Sequence, residues 1–158
     1  MYKRKTWREK LADAKDLPKV VAIGPSMRKQ LGTGTYAIPA PREVDAIMRR
    51  IPEGKLITIN EIRELVAKKH GANVGCHITC GIFAWISAHA AEESRADGET
   101  KITPYWRTLK TGGELNPKYP GGVESLQRRL KKEGHQIVAR GKRLFVADFD
   151  KHLARVRI

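Results

Sequence analysis

Cys76, His77, Cys80 and His89 are the side-chain types that most often bind metal ions or act as activated nucleophiles. Cys76 and Cys80 lie one helical turn apart, so their thiols would stand side by side. With one or two of the histidines they could ligate zinc, but the spacing matches no standard finger. No metal and no other cofactor is therefore expected. Cys76 beside His77 keeps an enzyme with a cysteine nucleophile open as an alternative. A second segment, TPYWRTLKTGGELNPKYPGGVESLQRRLKKEGH at residues 103–135, offers different chemistry. Tyr105 and Trp106 could line a pocket as aromatic walls, or simply fill the core. A third group, Arg140, Lys142 and Arg143, gathers at an expected hairpin tip, where cations meet either phosphates or water.

The charge balance favours a polyanion. Among 158 residues, 31 Lys and Arg face 17 Asp and Glu, a formal net charge of +14. Such a surplus on a small folded chain points to nucleic acid; the bland alternative is a solvated basic surface. The surplus is spread along the sequence, which suggests a charged face on a folded body rather than a basic tail. Hydrophobic residues make up 41%, enough for a core. The longest apolar segment, GIFAWISAHAA, is too short to span a bilayer, so no membrane association is expected. The basic start MYKRKTWREK leads into no apolar run, and no signal peptide is expected. With only two cysteines, a cytoplasmic location is the simplest expectation.

These groups need elements to position them. TWREKLADAKD reads as a short helix with Thr6 as N-cap, and KVVAIG as a short strand. GPSMRKQLGTGTYAIPAP reads as irregular. PREVDAIMRRI has proline at the first helical position and Val44, Ile47, Met48 and Ile51 at helical spacing. In TINEI, Thr58 and Glu61 fit a capping box, and the helix they open should bury Ile59, Ile62, Leu65 and Val66 and stop at Gly71. A further helix over about residues 77–93 carries Ile78, Ile82, Trp85 and Ile86 on one face, and most of Ile82, Phe83, Trp85 and Ile86 are expected to be core. VESLQRRLKKE reads as an amphipathic helix, its cations on a solvated face. HQIVAR and RLFVADF flank Gly141-Lys142 as a hairpin. The fold class is mainly α with small β, close to a winged helix-turn-helix. Residues 1–40 form an N-terminal extension, 41–135 the DNA-binding body, and 136–158 a C-terminal β-hairpin and tail.

Three segments resemble, in order, the C-terminal domain of O6-alkylguanine-DNA alkyltransferases. IPEGKLITINEI resembles the approach to that family's helix-turn-helix, and the helix around residues 79–90 stands in the place of its DNA-recognition helix. In segment 103–135, PYWR stands where the family has Pro-Cys-His-Arg, followed by Tyr119-Pro120-Gly121-Gly122 and Glu133-Gly134-His135. The resemblance covers about residues 41–135. It implies a protein that flips alkylated guanine from duplex DNA into a pocket, where the family moves the alkyl group onto its cysteine. It assigns Pro104, Tyr105, Trp106, Arg107, Tyr119, Gly121, Gly122 and Glu133 to that pocket. It assigns Thr58, Ile59, Asn60, Thr79, Cys80, Gly81 and Ala84 to the helix-turn-helix contact with the minor groove, beside Arg140, Lys142 and Arg143 at the hairpin.

The departures decide the chemistry. Tyr105 stands for the acceptor cysteine and Trp106 for the activating histidine, while Glu133 and Arg107 remain. A phenol with a pKa near ~10 is scarcely ionised at neutral pH, and no imidazole stands beside it. Alkyl transfer is therefore expected to be lost, with no catalytic residue. This pattern resembles the alkyltransferase-like proteins, which lack the cysteine and bind alkylated DNA without repairing it. The resemblance implies double-stranded DNA, alkylated or not, and repair proteins as partners. The alternatives are a regulatory or architectural winged-helix protein without lesion specificity, and an active alkyltransferase using a non-standard cysteine. Ile59 replaces the family's helix-turn-helix tyrosine, and its base-replacing arginine has no clear counterpart near Cys80.

Overall fold

A computed structural model describes residues 4–157. The first three residues of the expected extension and the last residue of the tail lie outside them. Helix α1 (Trp7–Ala12) opens as its local chemistry requires: the Thr6 hydroxyl accepts from Glu9 N, and the Glu9 carboxylate accepts from Thr6 N. It is shorter than the sequence suggests because Asp13 is already extended. Strand β1 (Lys19–Ala22) follows as expected. The stretch expected to be irregular instead holds a single helical turn, α2 (Arg28–Leu31), and strand β2 (Thr35–Ile38). Strand β2 pairs antiparallel with β1 and parallel with β4 (Val74–Gly75), and Ala37 between them is fully buried. Pairing on both edges overrides a composition that reads as loop.

Helix α3 (Pro41–Arg49) buries Val44, Ile47 and Met48 as its 3.6-residue period demands. Burying a side chain of this kind stabilises by about 1.5–3 kcal/mol. Strand β3 (Ile57–Thr58) runs into α4 (Ile59–His70), where Glu61 accepts from both the backbone N–H and the hydroxyl of Thr58, at 2.9 and 2.7 Å. Helix α4 buries Ile62, Val66 and Ala67 and ends at Gly71, which takes the left-handed conformation. The turn after it closes tightly. A Cβ on Gly75 would lie 2.3 Å from the carbonyl oxygen of Arg63, so only glycine fits there.

Helix α5 (His77–Ala96) is the spine. It corrects one expectation: Ile82 is not core but stands 45% exposed beside Ile78 at 56%, while Ile86 is buried as expected. The face that packs inward is made of Cys80, Ala84, Ser87, Ala88 and Ala91. Small side chains let α3 and α5 approach closely, and a bulky stripe on that side would hold them apart. Buried Asp45 on α3 ties the packing together, accepting from Ser87 at 2.9 Å and Thr103 at 2.6 Å. Strand β5 (Thr108–Leu109) pairs with β3, and α6 (Gly122–Lys132) buries Leu126 and Leu130. Strands β6 (Ile137–Arg140) and β7 (Arg143–Val146) form the expected hairpin around Gly141-Lys142. This wing is fastened to the body through Leu115 N, which donates to Leu144 O at 2.9 Å. The architecture is a mainly helical winged helix-turn-helix with small sheets.

Candidate nucleic-acid interface and the aromatic seat

Residues 105–107 form a single 3-10 turn between α5 and β5. That turn swings Tyr105 inward and leaves Trp106 and Arg107 half-buried. Tyr105 is fully buried and meets Trp106 and Tyr119 edge-on, with ring centroids 5.4 and 6.0 Å apart. Its hydroxyl has no hydrogen-bond partner within the protein. Burial pushes the Tyr105 phenol above its usual pKa, and the nearby Glu92 charge pushes it further. Burial likewise raises the Tyr119 phenol. Neither ring offers an oxyanion at neutral pH.

Glu133, at the end of α6, gathers the donors around this turn. Its carboxylate accepts from Trp106 Nε1 at 2.8 Å, from Arg107 Nε and Nη2 at 2.9 and 2.8 Å, and from Gly54 N at 3.2 Å. Arg107 also donates from Nη1 to the Ile51 carbonyl at 2.7 Å. Burial alone would raise the Glu133 carboxyl, but the bonds from Arg107, Trp106 and Gly54 outweigh it and hold the pKa below the usual range. The guanidinium of Arg129 caps the outer face of Trp106, 4.2 Å from the ring centroid. Carboxylate, guanidinium and indole form a closed lock, with the Glu133 oxygens taken up by Trp106, Arg107 and Gly54.

Of the sequence-predicted pocket residues, Tyr105, Trp106, Arg107, Tyr119 and Glu133 come together. Pro104 is buried before the turn, and Gly121 and Gly122 take left-handed conformations at the start of α6. The groove beside α5 that holds about 450 Å³ is lined by other residues: Ile78, Ile82, Trp85, Lys110, Pro117 and Lys118 among them.

The predicted groove-contact residues divide. Cys80, Ala84 and Thr58 face the core, with exposures of 0%, 0% and 2%, and this corrects the expectation that they could touch DNA. Cys80 is buried because it lies on the small-residue face of α5. Thr58 is buried because it sits inside β3, with its hydroxyl bonded to Glu61. Ile59, Asn60 and Thr79 are half-buried, and Ile59 packs against the core. Gly81 faces open space, since a Cβ there would meet no atom within 4 Å. At the wing, Arg140, Lys142 and Arg143 are all exposed. Arg143 is also held by Glu114, with Nε and Nη2 bonds of 3.0 and 2.6 Å.

The cysteine-histidine cluster does not assemble. Burial pushes the Cys80 thiol up to about 12, so it carries no thiolate near neutral pH. His89 instead stacks on Trp7, with centroids 4.4 Å apart, and bonds the Lys118 carbonyl at 3.2 Å. Among the described residues, no group of three or more His, Cys, Asp and Glu side chains could hold a metal ion. None of the described helices is long and apolar enough to cross a membrane. Sequence reasoning missed Asp45, whose position in an amphipathic helix looks like surface, and it missed the anchoring of α1 on α5. There Glu93 accepts from Trp7 N at 3.1 Å and Arg8 N at 2.9 Å, and Trp7 meets Trp85 edge-on. The isolated WREK motif gave no sign of either partner.

The fold is similar to that of alkyltransferase-like structures solved with DNA. Two solved structures from S. pombe share it. One is Atl1 in complex with damaged DNA containing O6-carboxymethylguanine, with a TM-score of 0.51 and 17% identity. The other is the alkyltransferase-like protein in complex with DNA, with a TM-score of 0.53 and 19% identity. Each similarity covers 73% of this chain and 94% of the other. No protein-family model matches the sequence, and no curated protein matches it.

Proposed function

We propose that this protein binds duplex DNA and performs no chemistry on it, reading O6-alkylguanine and leaving its repair to other proteins. The observation that carries this reading is the buried Tyr105 in the position resembling the acceptor cysteine, on a fold shared with alkyltransferase-like proteins solved with DNA. Alkyl transfer needs a nucleophile and a base. The phenol is held neutral, and the indole N–H beside it donates to Glu133 and cannot accept a proton. The net charge of +14 and the exposed Arg140 and Lys142 at the wing supply attraction for the phosphate backbone.

A second reading has its own observation. Tyr105, Tyr119 and Trp106 pack edge-on and fill the seat, which suits a winged-helix DNA binder without lesion preference. Anisotropy titrations with matched duplexes, with and without O6-methylguanine, separate the two. A lesion reader binds the modified duplex more tightly, and a general binder binds both alike. Intact-mass analysis after incubation should show no alkyl adduct. An adduct on any residue would overturn the non-enzymatic reading and revive the use of Cys76.

A further inference from the structure

Beside the aromatic seat, the last turns of α5 and the outer edge of α6 border a cleft of about 380 Å³, lined by Glu92, Arg95, Ser125, Arg128, Arg129 and Lys132. The four α6 residues stand at i, i+3, i+4 and i+7, so one stripe of that helix supplies a hydroxyl and three cations. Arg95 adds a fourth cation from α5. The single carboxylate is already engaged. Glu92 accepts from Arg95 Nε at 3.1 and 2.9 Å, and Arg129 Nη2 lies 3.8 Å away. Arg128 and Lys132 are exposed and have no acidic partner among the described residues. Like charges one turn apart on a helix repel unless an anion meets them. The helix dipole favours cations at the end of α6, but Lys131 meets that need equally and does not line the cleft. Tyr105 supplies a second observation. The Arg129 guanidinium stands 5.7 Å from the Tyr105 ring centroid as well as over Trp106. Tyr105 is fully buried, its hydroxyl has no partner, and the charges that act on it are Glu92, Arg129 and Arg95, all from the cleft. A buried donor without an acceptor thus lies against converging cations, whereas buried polar groups are ordinarily satisfied.

We propose that the cleft between α5 and α6 binds a phosphate group. Guanidinium forks match phosphate oxygens in pairs, and three of the four cations are arginines. A carboxylate brings one charge and two oxygens, fewer than four cations and the Ser125 hydroxyl can use. A phosphomonoester brings up to two charges and three acceptor oxygens. The volume falls in the range of small-ligand sites. Two sources carry this chemistry: free phosphate, inorganic or on a nucleotide, and the backbone phosphate of DNA. The cleft shares no residue with the wing cations Arg140 and Lys142 or with the groove beside Ile78 and Ile82, so it does not depend on the DNA-binding reading.

The test uses the full chain at constant ionic strength, with inorganic phosphate and thymidine 5′-monophosphate as probes and thymidine and chloride as blanks. Calorimetric titration should show both probes binding and both blanks silent. Arg128→Gln with Lys132→Gln should weaken phosphate binding by roughly tenfold or more. Both side chains are exposed, so the circular dichroism spectrum should be unchanged. Lys131→Gln removes a charge from the same helix end and should bind phosphate like wild type. Duplex titrations then name the source. If the double variant loses the free probes and keeps the wild-type salt slope on DNA, the ligand is free phosphate or a nucleotide. If wild type ignores the free probes but the double variant lowers the salt slope on DNA by about two, the cleft takes backbone phosphate. Both effects together mean that it accepts either. A double variant matching wild type with the probes and with DNA overturns the phosphate site, and so does a cleft that holds an acidic peptide and no phosphate. A wild type that binds phosphate but no duplex leaves the cleft standing and removes the DNA-binding reading.

Discussion

Replacing Glu133 by glutamine removes the charge that holds Trp106, Arg107 and the Gly54 turn together. The two side chains are well shielded, Glu133 at 7% exposure and Arg107 at 14%. Glutamine keeps the shape and one acceptor, but its NH2 group must point at a donor. Leaving one partner of a buried ion pair uncompensated costs about 3–5 kcal/mol. Arg107 keeps its bond to the Ile51 carbonyl, which argues for the lower end, about 3 kcal/mol. With a urea m-value of about 2 kcal/mol/M, the unfolding midpoint should fall by about 1.5 M. Tryptophan fluorescence can follow it, since Trp106 sits in the lock. The Glu133 carboxyl is held below its ordinary value of 4.5, so its stabilisation is complete above that value and is lost as pH falls through the depressed folded value. The gap between wild type and variant should therefore close in acid. Pairing Glu133→Gln with Arg107→Met should recover part of the loss, because no stranded cation remains. A Glu133→Gln midpoint within about 0.3 M of wild type at pH 7 would refute the lock.

The remaining expectations concern other parts of the molecule. Buried His135 has no hydrogen-bond partner for either ring nitrogen, and burial first, then His152, lowers its pKa from 6.5. The unfolded chain therefore binds the proton more readily, so urea midpoints should hold steady above about pH 6.5 and fall below it, and His135→Phe should flatten that fall. Neutralising Arg140 and Lys142 together should lower the slope of log K against log salt by about two in DNA titrations. Arg143→Gln should also loosen the wing, because it releases Glu114, and hydrogen exchange in β7 would report it. Tyr105→Cys alone should gain no alkyl adduct by intact mass, since the base position beside it is an indole already committed to Glu133.

What was legible in the sequence was local. Thr6 with Glu9, Pro41, Thr58 with Glu61, Gly71 and the Gly141-Lys142 tip each mark a helix end or turn through atoms a few residues apart, and all stand in the structure. What was not legible depends on partners distant in the chain. Strand β2 exists because β1 and β4 flank it, which Thr35–Ile38 cannot announce. The periodicity of α5 correctly grouped Ile78, Ile82 and Trp85 on one side but could not say that the alanine face would take the core. A helix apolar all round leaves that choice to packing distance, and the small side chains won it. Asp45 and its two hydroxyl donors lie 42 and 58 residues apart in sequence, so the pattern of α3 alone gave no hint of them.

The aromatic seat shows how a buried tyrosine fills its own site. The Tyr105 ring needs walls, and Tyr119 and Trp106 supply them edge-on. Once an indole stands at position 106, its N–H requires an acceptor, and a carboxylate at position 133 meets that need while also neutralising Arg107. Glutamate and arginine thus hold each other in place, and removing either would strand the other. Chemistry and packing make different demands on the same positions: a relay requires a group that alternately gives and takes a proton, whereas the Glu133 carboxylate only accepts, from Gly54, Trp106 and Arg107. Alkyl transfer at this seat would require an acceptor, a base and an open cavity together, and that is why a single substitution at Tyr105 should fail.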